Sequence, residues 1–294
     1  MVSKLVSVLK SRGLSGTMRA VAWRVAPPRA RCFRESRPLL ASKVGLEIGG
    51  PSSVFSRRGL FPVYAIVSGL DNCNFGRNTI WEGVIREGLT FRYDEQHAPG
   101  YQYIIEATDL AVIASNTYDF VLSSHTLEHT ANPLRALREW LRVLKAPGLL
   151  VLVLPHKDGT FDHRRPVTPL QHLVEDFERG TAEEDLTHLP EILARHDLRR
   201  DPEAGDFAAF KTRSERNFEN RCLHHHVFDS EAVVRLIDYM GLELRALEPM
   251  RPYHIFAVAE KLSGGQPPHN QAFWGKRAEY RRRSPFPSDR FIRN

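Results

Sequence analysis

The chain has 294 residues, enough for one large domain with appendages, and its 42% hydrophobic and 26% charged content is that of an ordinary globular protein. Its formal charge of +6 is unevenly spread: residues 1–43 hold ten basic residues and one acid (Glu35), residues 261–294 hold eight basic and two acidic, and 44–260 holds 23 basic against 32 acidic. An acidic body excludes reading the overall basicity as nucleic-acid binding, the longest apolar run (149–154) cannot span a bilayer, and Cys32, Cys73 and Cys222 are too scattered for a disulfide framework or thiol metal knuckle, which suits a reducing, cytoplasmic setting.

In chain order, 1–43 reads as a basic N-terminal extension. Leu5, Val6, Val8 and Leu9 alternate with Lys4 and Lys10. That pattern suits a solvated basic helix, an organelle-targeting segment or a peripheral contact with an anionic membrane. Pro27-Pro28 reads as a linker. Val44–Ile48 is an apolar strand ending at a Gly-Gly-Pro turn. A helix can follow over 52–59, then a second strand over 63–67 and a helix or irregular crossover over 77–87. Third and fourth strands are expected at 101–105 and 118–122. Asn132-Pro133 opens a clear helix, since Asn caps and Pro takes the first turn. Leu134, Leu137, Leu141 and Leu144 give it one apolar face. The continuous apolar run 149–154 suits the covered centre of a parallel sheet. Asp229 and Ser230 cap a helix over 231–240, and strands at 243–247 and 253–259 close the pattern. Strands alternating with helices predict an α/β fold with a doubly wound, mostly parallel sheet.

Residues 156–228 break the alternation. They are polar and rich in His, Asp, Glu and Arg, with short helical runs such as 169–177. Such a long irregular stretch reads as an insertion covering the carboxyl ends of the strands, where ligands bind in these sheets. The tail 261–294 reads as a flexible basic segment.

The sharpest chemical signal is Gly45 to Ser53, GLEIGGPSS. Gly49 lets backbone approach a ligand closely. The G-x-G-x-x-G spacing of a dinucleotide turn is missing, because Pro51 stands at the second Gly position. Glu47 would repel a pyrophosphate and suits a cationic ligand, although any tight strand-to-helix turn can look like this. At these residues the chain resembles class I S-adenosylmethionine-dependent methyltransferases, type 11 group, whose first motif is an acid followed by glycines. The string from Tyr118 to His129, YDFVLSSHTLEH, and LRVLKAPGLL from Leu141 resemble the same group's strand-four motif and strand-five entry.

The resemblance covers 44–155 and 224–260. It implies a seven-stranded Rossmann-like sheet within 44–260 and S-adenosyl-L-methionine as cofactor, while the insertion 156–228, which the resemblance does not cover, reads from its composition as a substrate cap. It implies that Gly49, Gly50 and Pro51 pack on the cofactor and that Glu47 orients it. Asp71 would accept both ribose hydroxyls, unless it caps an Asx turn. Asp109 and the Leu110 N–H would hold the adenine, unless they form a surface turn. Ser123, Ser124 and His125 would line the methionine end.

In the insertion, His156 and His163 join His125 as candidates for general base or acceptor contact, with structural histidines as the bland alternative. His224, His225 and His226 are consecutive, so only His224 and His226 could share a face of a strand. Asp162 or Glu128 could add a third metal ligand, but the H-E-x-x-H spacing is absent and no catalytic metal is expected. The expected activity is methyl transfer to O or N of a small-molecule or carbohydrate-like acceptor. The alternative is a non-catalytic binding or scaffold protein on the same fold, its basic ends serving as docking arms.

Overall fold

The computed structural model describes residues 28–290. The amphipathic pattern around Leu5–Leu9 therefore lies outside the described residues. The strands are β1 (Val44–Ile48), β2 (Gly69–Asn74), β3 (Asn78–Thr79), β4 (Gly83–Val84), β5 (Gly88–Phe91), β6 (Gly100–Ile104), β7 (Tyr118–Ser124), β8 (Leu144–Pro155), β9 (Glu243–Met250) and β10 (His254–Lys261). All but β3 and β4 form one sheet, ordered β5-β6-β2-β1-β7-β8-β10-β9. From β6 to β8 neighbouring strands are parallel, and β10 runs antiparallel to both β8 and β9. The mostly parallel, doubly wound architecture read from the sequence is present. Its seven strands gain an eighth, β5, antiparallel at the edge.

The sheet's two faces follow the strand period of two. Leu46, Val121, Leu150, Leu152, Ile255 and Ala257 point to one face, where α2 (Pro133–Val143) packs Leu134, Leu137 and Trp140. The later helix Ser230–Tyr239 adds Val233, Val234 and Ile237 there. Phe120, Leu122, Val151, Val153, Phe256 and Val258 point to the other face, under α1 (Arg31–Leu40) and the aromatic loop of Phe55, Phe61 and Tyr64. Gly45 is required between the central strands. It pairs with Phe120, and a Cβ there would sit 2.0 Å from that ring. Asn132 and Asp229 cap as expected, accepting from the N–H groups of Arg135 and Ala232.

Several expectations are corrected. Residues 28–43 are not an appendage, because α1 buries Cys32, Phe33 and Leu40. Residues 52–59 form turns rather than a helix. The chain doubles back so that Phe61 N–H reaches Val54 O and Tyr64 N–H reaches Phe55 O, which buries the three aromatics together. The apolar run 63–67 is a 3-10 turn (Val63–Ala65) packed in that cluster, and the true second strand is Gly69–Asn74. Residues 77–87 carry the small β3–β4 hairpin instead of a helix. The tail is not a free segment: Glu279–Arg283 and Pro287–Arg290 are helical, with Tyr280, Ser284 and Asp289 buried. Among the described residues no helix is long and apolar enough to cross a membrane.

Candidate active site

The four parallel strands β6, β2, β1 and β7 end at one cavity of about 860 Å³. Each strand's last residues reach it: Gly49 after β1, Asn74 and Phe75 at β2, Glu106 and Ala107 after β6, and Ser124 and His125 at β7. The cap residues Phe161, Glu183, Arg221 and His224 close the far side. Residues of the polar insertion therefore line the same cavity as the carboxyl ends of the strands.

The turn after β1 is held from beneath by buried polar groups. Asn72 accepts from Gly50 N–H (2.9 Å) and donates to Gly50 O (3.0 Å), while Asn74 Nδ2 donates to the same carbonyl (3.0 Å). Gly49 has φ +79°, and a Cβ on it would lie 2.5 Å from Thr126 Oγ1. Glycine is needed here for conformation and for the close approach alike. Pro51 also lines the cavity, whereas Gly50 lies against the Glu47 carboxylate.

Glu47 does not face the cavity. It is fully buried, accepting from Tyr64 OH (2.6 Å) and Ser52 N–H (3.0 Å). Burial pushes its carboxyl up to about 8, against the pull of those two donors. From beneath, it locks the turn through those two hydrogen bonds. The folded protein therefore holds a proton that the unfolded chain releases above its ordinary value of 4.5. Stability should fall by up to about 1.4 kcal/mol per pH unit between those two values. Urea midpoints from pH 5 to 8 should decline in the wild type and flatten in Glu47→Gln. Parallel curves would refute this.

Asp71 is also a correction. It sits inside β2 and accepts from Tyr118 OH and Tyr101 N–H, both at 2.7 Å, so it ties three strands together. With the strand running to Asn74, the residues at its mouth are Asn74 and Phe75. Asp109 is exposed and caps a turn through Ala111 N–H, and Leu110 N–H is given to Glu139 (2.9 Å). Glu106 and Ala107 take the expected place at the cavity. Ser123 is buried behind it, and Ser124 lines it.

Of the three histidine candidates, only His125 lines the cavity. It has φ +54°, its Nε2 meets His254 Nδ1 at 2.9 Å, and its Nδ1 lies 3.5 Å from Glu128. His156 is fully buried against Asp289 (3.1 Å) and stacks on Phe286. His163 pairs with Asp197 (3.0 Å), outside the cavity lining. Both hold the fold.

The sequence reading missed the pair best placed for proton transfer. His224 Nδ1 bonds Asp162 Oδ2 at 2.6 Å, and Asp162 is itself held by Arg165 Nη1 at 3.0 Å. The ring's Nε2 lies 4.0 Å from Glu128 Oε1, on the cavity side. Burial alone would push His224 down. The Asp162 carboxylate outweighs burial and leaves the ring above the ordinary histidine value. Burial likewise pushes Glu128 up, and His125 with the raised His224 outweighs it, so this fully buried carboxyl is held below its ordinary value. His129 gives Nδ1 to Leu223 O (3.0 Å) and is pushed down to about 4 by burial and by His224, so it is neutral. Arg221 latches the cap to the sheet, pairing with Glu106 (2.7 Å) and Glu183 (2.8 Å).

Residues 86–152 match the family model described as "Methyltransferase domain". Solved structures similar to this chain include an S-adenosylmethionine-dependent methyltransferase from Mesorhizobium loti (11% identity, 78% of this chain and 96% of that one, TM-score 0.47). A putative one from Listeria monocytogenes is similar at 14% identity (79% and 96% covered, TM-score 0.45). So is the 1,6-didemethyltoxoflavin-N1-methyltransferase of Burkholderia thailandensis (12% identity, 89% and 90% covered, TM-score 0.42). No curated protein matches the chain.

Proposed function

We propose, from the match of residues 86–152 to the methyltransferase-domain model, that the protein transfers a methyl group from S-adenosyl-L-methionine to a hydroxyl or amine of a small, carbohydrate-like acceptor. The observation that supports this most is the delivery of Gly49, Asn74, Glu106 and Ser124 to one cavity, with the Asp162–His224 pair facing it.

The residues present suit the cofactor. Gly49 brings bare backbone to the cavity wall, at a position where the positive φ and the Thr126 side chain leave no room for a Cβ. Asn74 also lines the cavity, and Glu82, Glu128 and Glu203 give its wall acidic groups, as a cationic ligand needs. When bound, the cofactor supplies an electrophilic methyl group on a sulfonium.

The protein's own task is then to align the acceptor and remove its proton. Asp162 fixes the His224 tautomer with Nδ1 protonated, so Nε2 is the atom that takes a proton in the cavity. Glu128 lies fully buried in the cavity wall, its oxygens without hydrogen-bond partners, so it lends negative charge to the cavity from behind the surface. Trp81 and Tyr253, partly exposed at the same wall, offer ring faces to the C–H side of a sugar. Arg200, Asp201 and Glu203 add hydrogen-bonding capacity there. This polar wall supports a hydroxylated acceptor over a lipid.

Calorimetry with S-adenosylhomocysteine is the test. The wild type should bind with a Kd on the order of micromolar. Gly49→Val, verified as folded by its thermal melt, should lose at least about 100-fold in affinity, since a β-branched residue fits neither the positive φ nor the space. No binding by the wild type at millimolar product would leave the scaffold reading instead. With binding established, a panel of hydroxylated acceptors would be screened for methyl transfer.

A further inference from the structure

The strand reading of the triple histidine places His224 and His226 on one face. The structure sends them apart: 221–227 is irregular, His224 turns to the cavity, and His226 turns into the body of the cap. There it meets His172 and Asp176, one turn apart on α3 (Leu170–Arg179), and His188, at the start of α4 (Leu189–Arg195). The ligand atoms of these four residues all lie within 4.8 Å of one another. We infer that His172, Asp176, His188 and His226 form a tetrahedral structural site for zinc, or a divalent ion of like preference, which pins the cap.

The distances fit. His172 Nε2 lies 3.1 Å from His188 Nε2 and 3.3 Å from Asp176 Oδ2, and His226 Nε2 lies 3.8 Å from the same oxygen. Zinc bonds of ~2.0–2.1 Å in a tetrahedron put neighbouring ligand atoms about 3.4 Å apart. Hydrogen bonding within the cluster satisfies it incompletely. A neutral imidazole carries one N–H, so the facing Nε2 atoms of His172 and His188 share one hydrogen at most when both rings are neutral. Asp176 Oδ2 is buried without a hydrogen-bond partner. His226 is fully buried; its Nε2 touches Ala131 O at 3.3 Å and its Nδ1 has no partner. A cation at the centre draws on the Nε2 lone pairs of the three rings and on Asp176 Oδ2, with the His226 proton then on the partner-less Nδ1 and the long contact to Ala131 O given up. The surroundings also orient the carboxylate, since Asp176 Oδ1 accepts from Thr181 Oγ1 (3.2 Å).

Three imidazoles and a carboxylate are a donor set for zinc, and four protein ligands close the coordination shell, so the ion would hold structure and not activate water. Its placement gives it a purpose. His225 N–H donates to Glu128 O (2.8 Å), so the chain 224–226 runs from the cavity wall directly into the proposed site. An ion there would fix the segment that presents His224.

The test uses the full chain with any affinity tag removed, expressed with zinc in the medium. Elemental analysis should find about one equivalent of zinc. His172 is partly exposed, so His172→Gln should fold, and its zinc content should drop at least about tenfold. Glu128, His129 and His224 also bring three ligand atoms together at the cavity, so His224→Gln is the control and should keep its zinc. Cobalt(II) loaded into the apoprotein should show the intense visible bands of a tetrahedral centre, absent in His172→Gln. Wild-type protein with less than about a tenth of an equivalent and no cobalt bands would overturn the inference. So would zinc lost from His224→Gln but kept by His172→Gln.

Discussion

His224→Gln is expected to slow methyl transfer about 10²- to 10⁴-fold, the usual worth of a positioned general base. Affinity for S-adenosylhomocysteine should stay within about twofold, because the ring stands on the cap side and not in the strand-end cradle. The pH profile carries more information than the rate. A base must be neutral to act, so kcat/KM should rise with pH through a value above the ordinary histidine 6.5, where Asp162 holds the ring. Removing that charge in Asp162→Asn leaves burial to dominate. The rising limb should then move to lower pH while the plateau falls, because an amide no longer stabilises the protonated ring. A purely structural role for Asp162 would lower the plateau without moving the limb. If His224→Gln kept nearly wild-type rates and an unmoved profile, the proton would have to go elsewhere, and neutral His129 is the next group on that wall.

The sequence revealed the parts of this molecule that apolar periodicity encodes. β1, β8 and the helices opened by Asn132 and Asp229 were readable because caps and apolar spacing coincide there. β2 was not, because only Leu70 and Cys73 among its buried side chains are apolar, and Asn72 and Asn74 are buried amides that serve the Gly49-Gly50 turn. The apolar run just upstream imitates a strand while packing as a turn. That shift of a few residues carried the site reading with it. It put Asp71 at a strand mouth when it is a mid-strand tie to Tyr118, and it left Asn74 unnoticed. The turn of β1 was placed correctly at Gly49 and misjudged at Glu47, since sequence does not distinguish a carboxylate above a turn from one beneath it. The proton-transfer pair was illegible for another reason. Asp162 and His224 are 62 residues apart in an insertion without periodicity, and only the folded cap brings them to 2.6 Å.

Asp289→Ala should cost about 3–5 kcal/mol, the range for removing one partner from a buried charged network, although Asp289 lies in a tail that composition marks as dispensable. Its Oδ1 accepts from Ser230 N–H (3.2 Å) and faces His156 Nε2 (3.1 Å), and its Oδ2 accepts from Ser230 Oγ (2.7 Å) and Ser284 Oγ (2.6 Å). Every one of these groups is buried, so alanine would strand them without water. Ser230 begins the helix that covers the β8–β10 region, and His156 follows the end of β8, so the loss would reach the sheet itself. Asp289→Asn keeps one acceptor oxygen and should cost less than half as much. Burial pushes the Asp289 carboxyl up, but His156, Ser284 and Ser230 outweigh it and hold it below its ordinary value. Its contribution is therefore present at neutral pH and lost as pH falls through that lowered value. The tail's basic charge is partly consumed as well: Arg281 pairs with Glu231 (2.5 Å) and gives Nη1 to Asp289 O (2.8 Å), and Arg283 pairs with Glu279 (2.9 Å). Of these contacts the Arg281–Glu231 pair ties the tail to the body, and the other two lie within the tail. Chemical denaturation of wild type, Asp289→Ala and a chain ending at Gly265 separates the two views. Equal midpoints for all three would restore the free tail, and a large drop in both variants would make it part of the folded body.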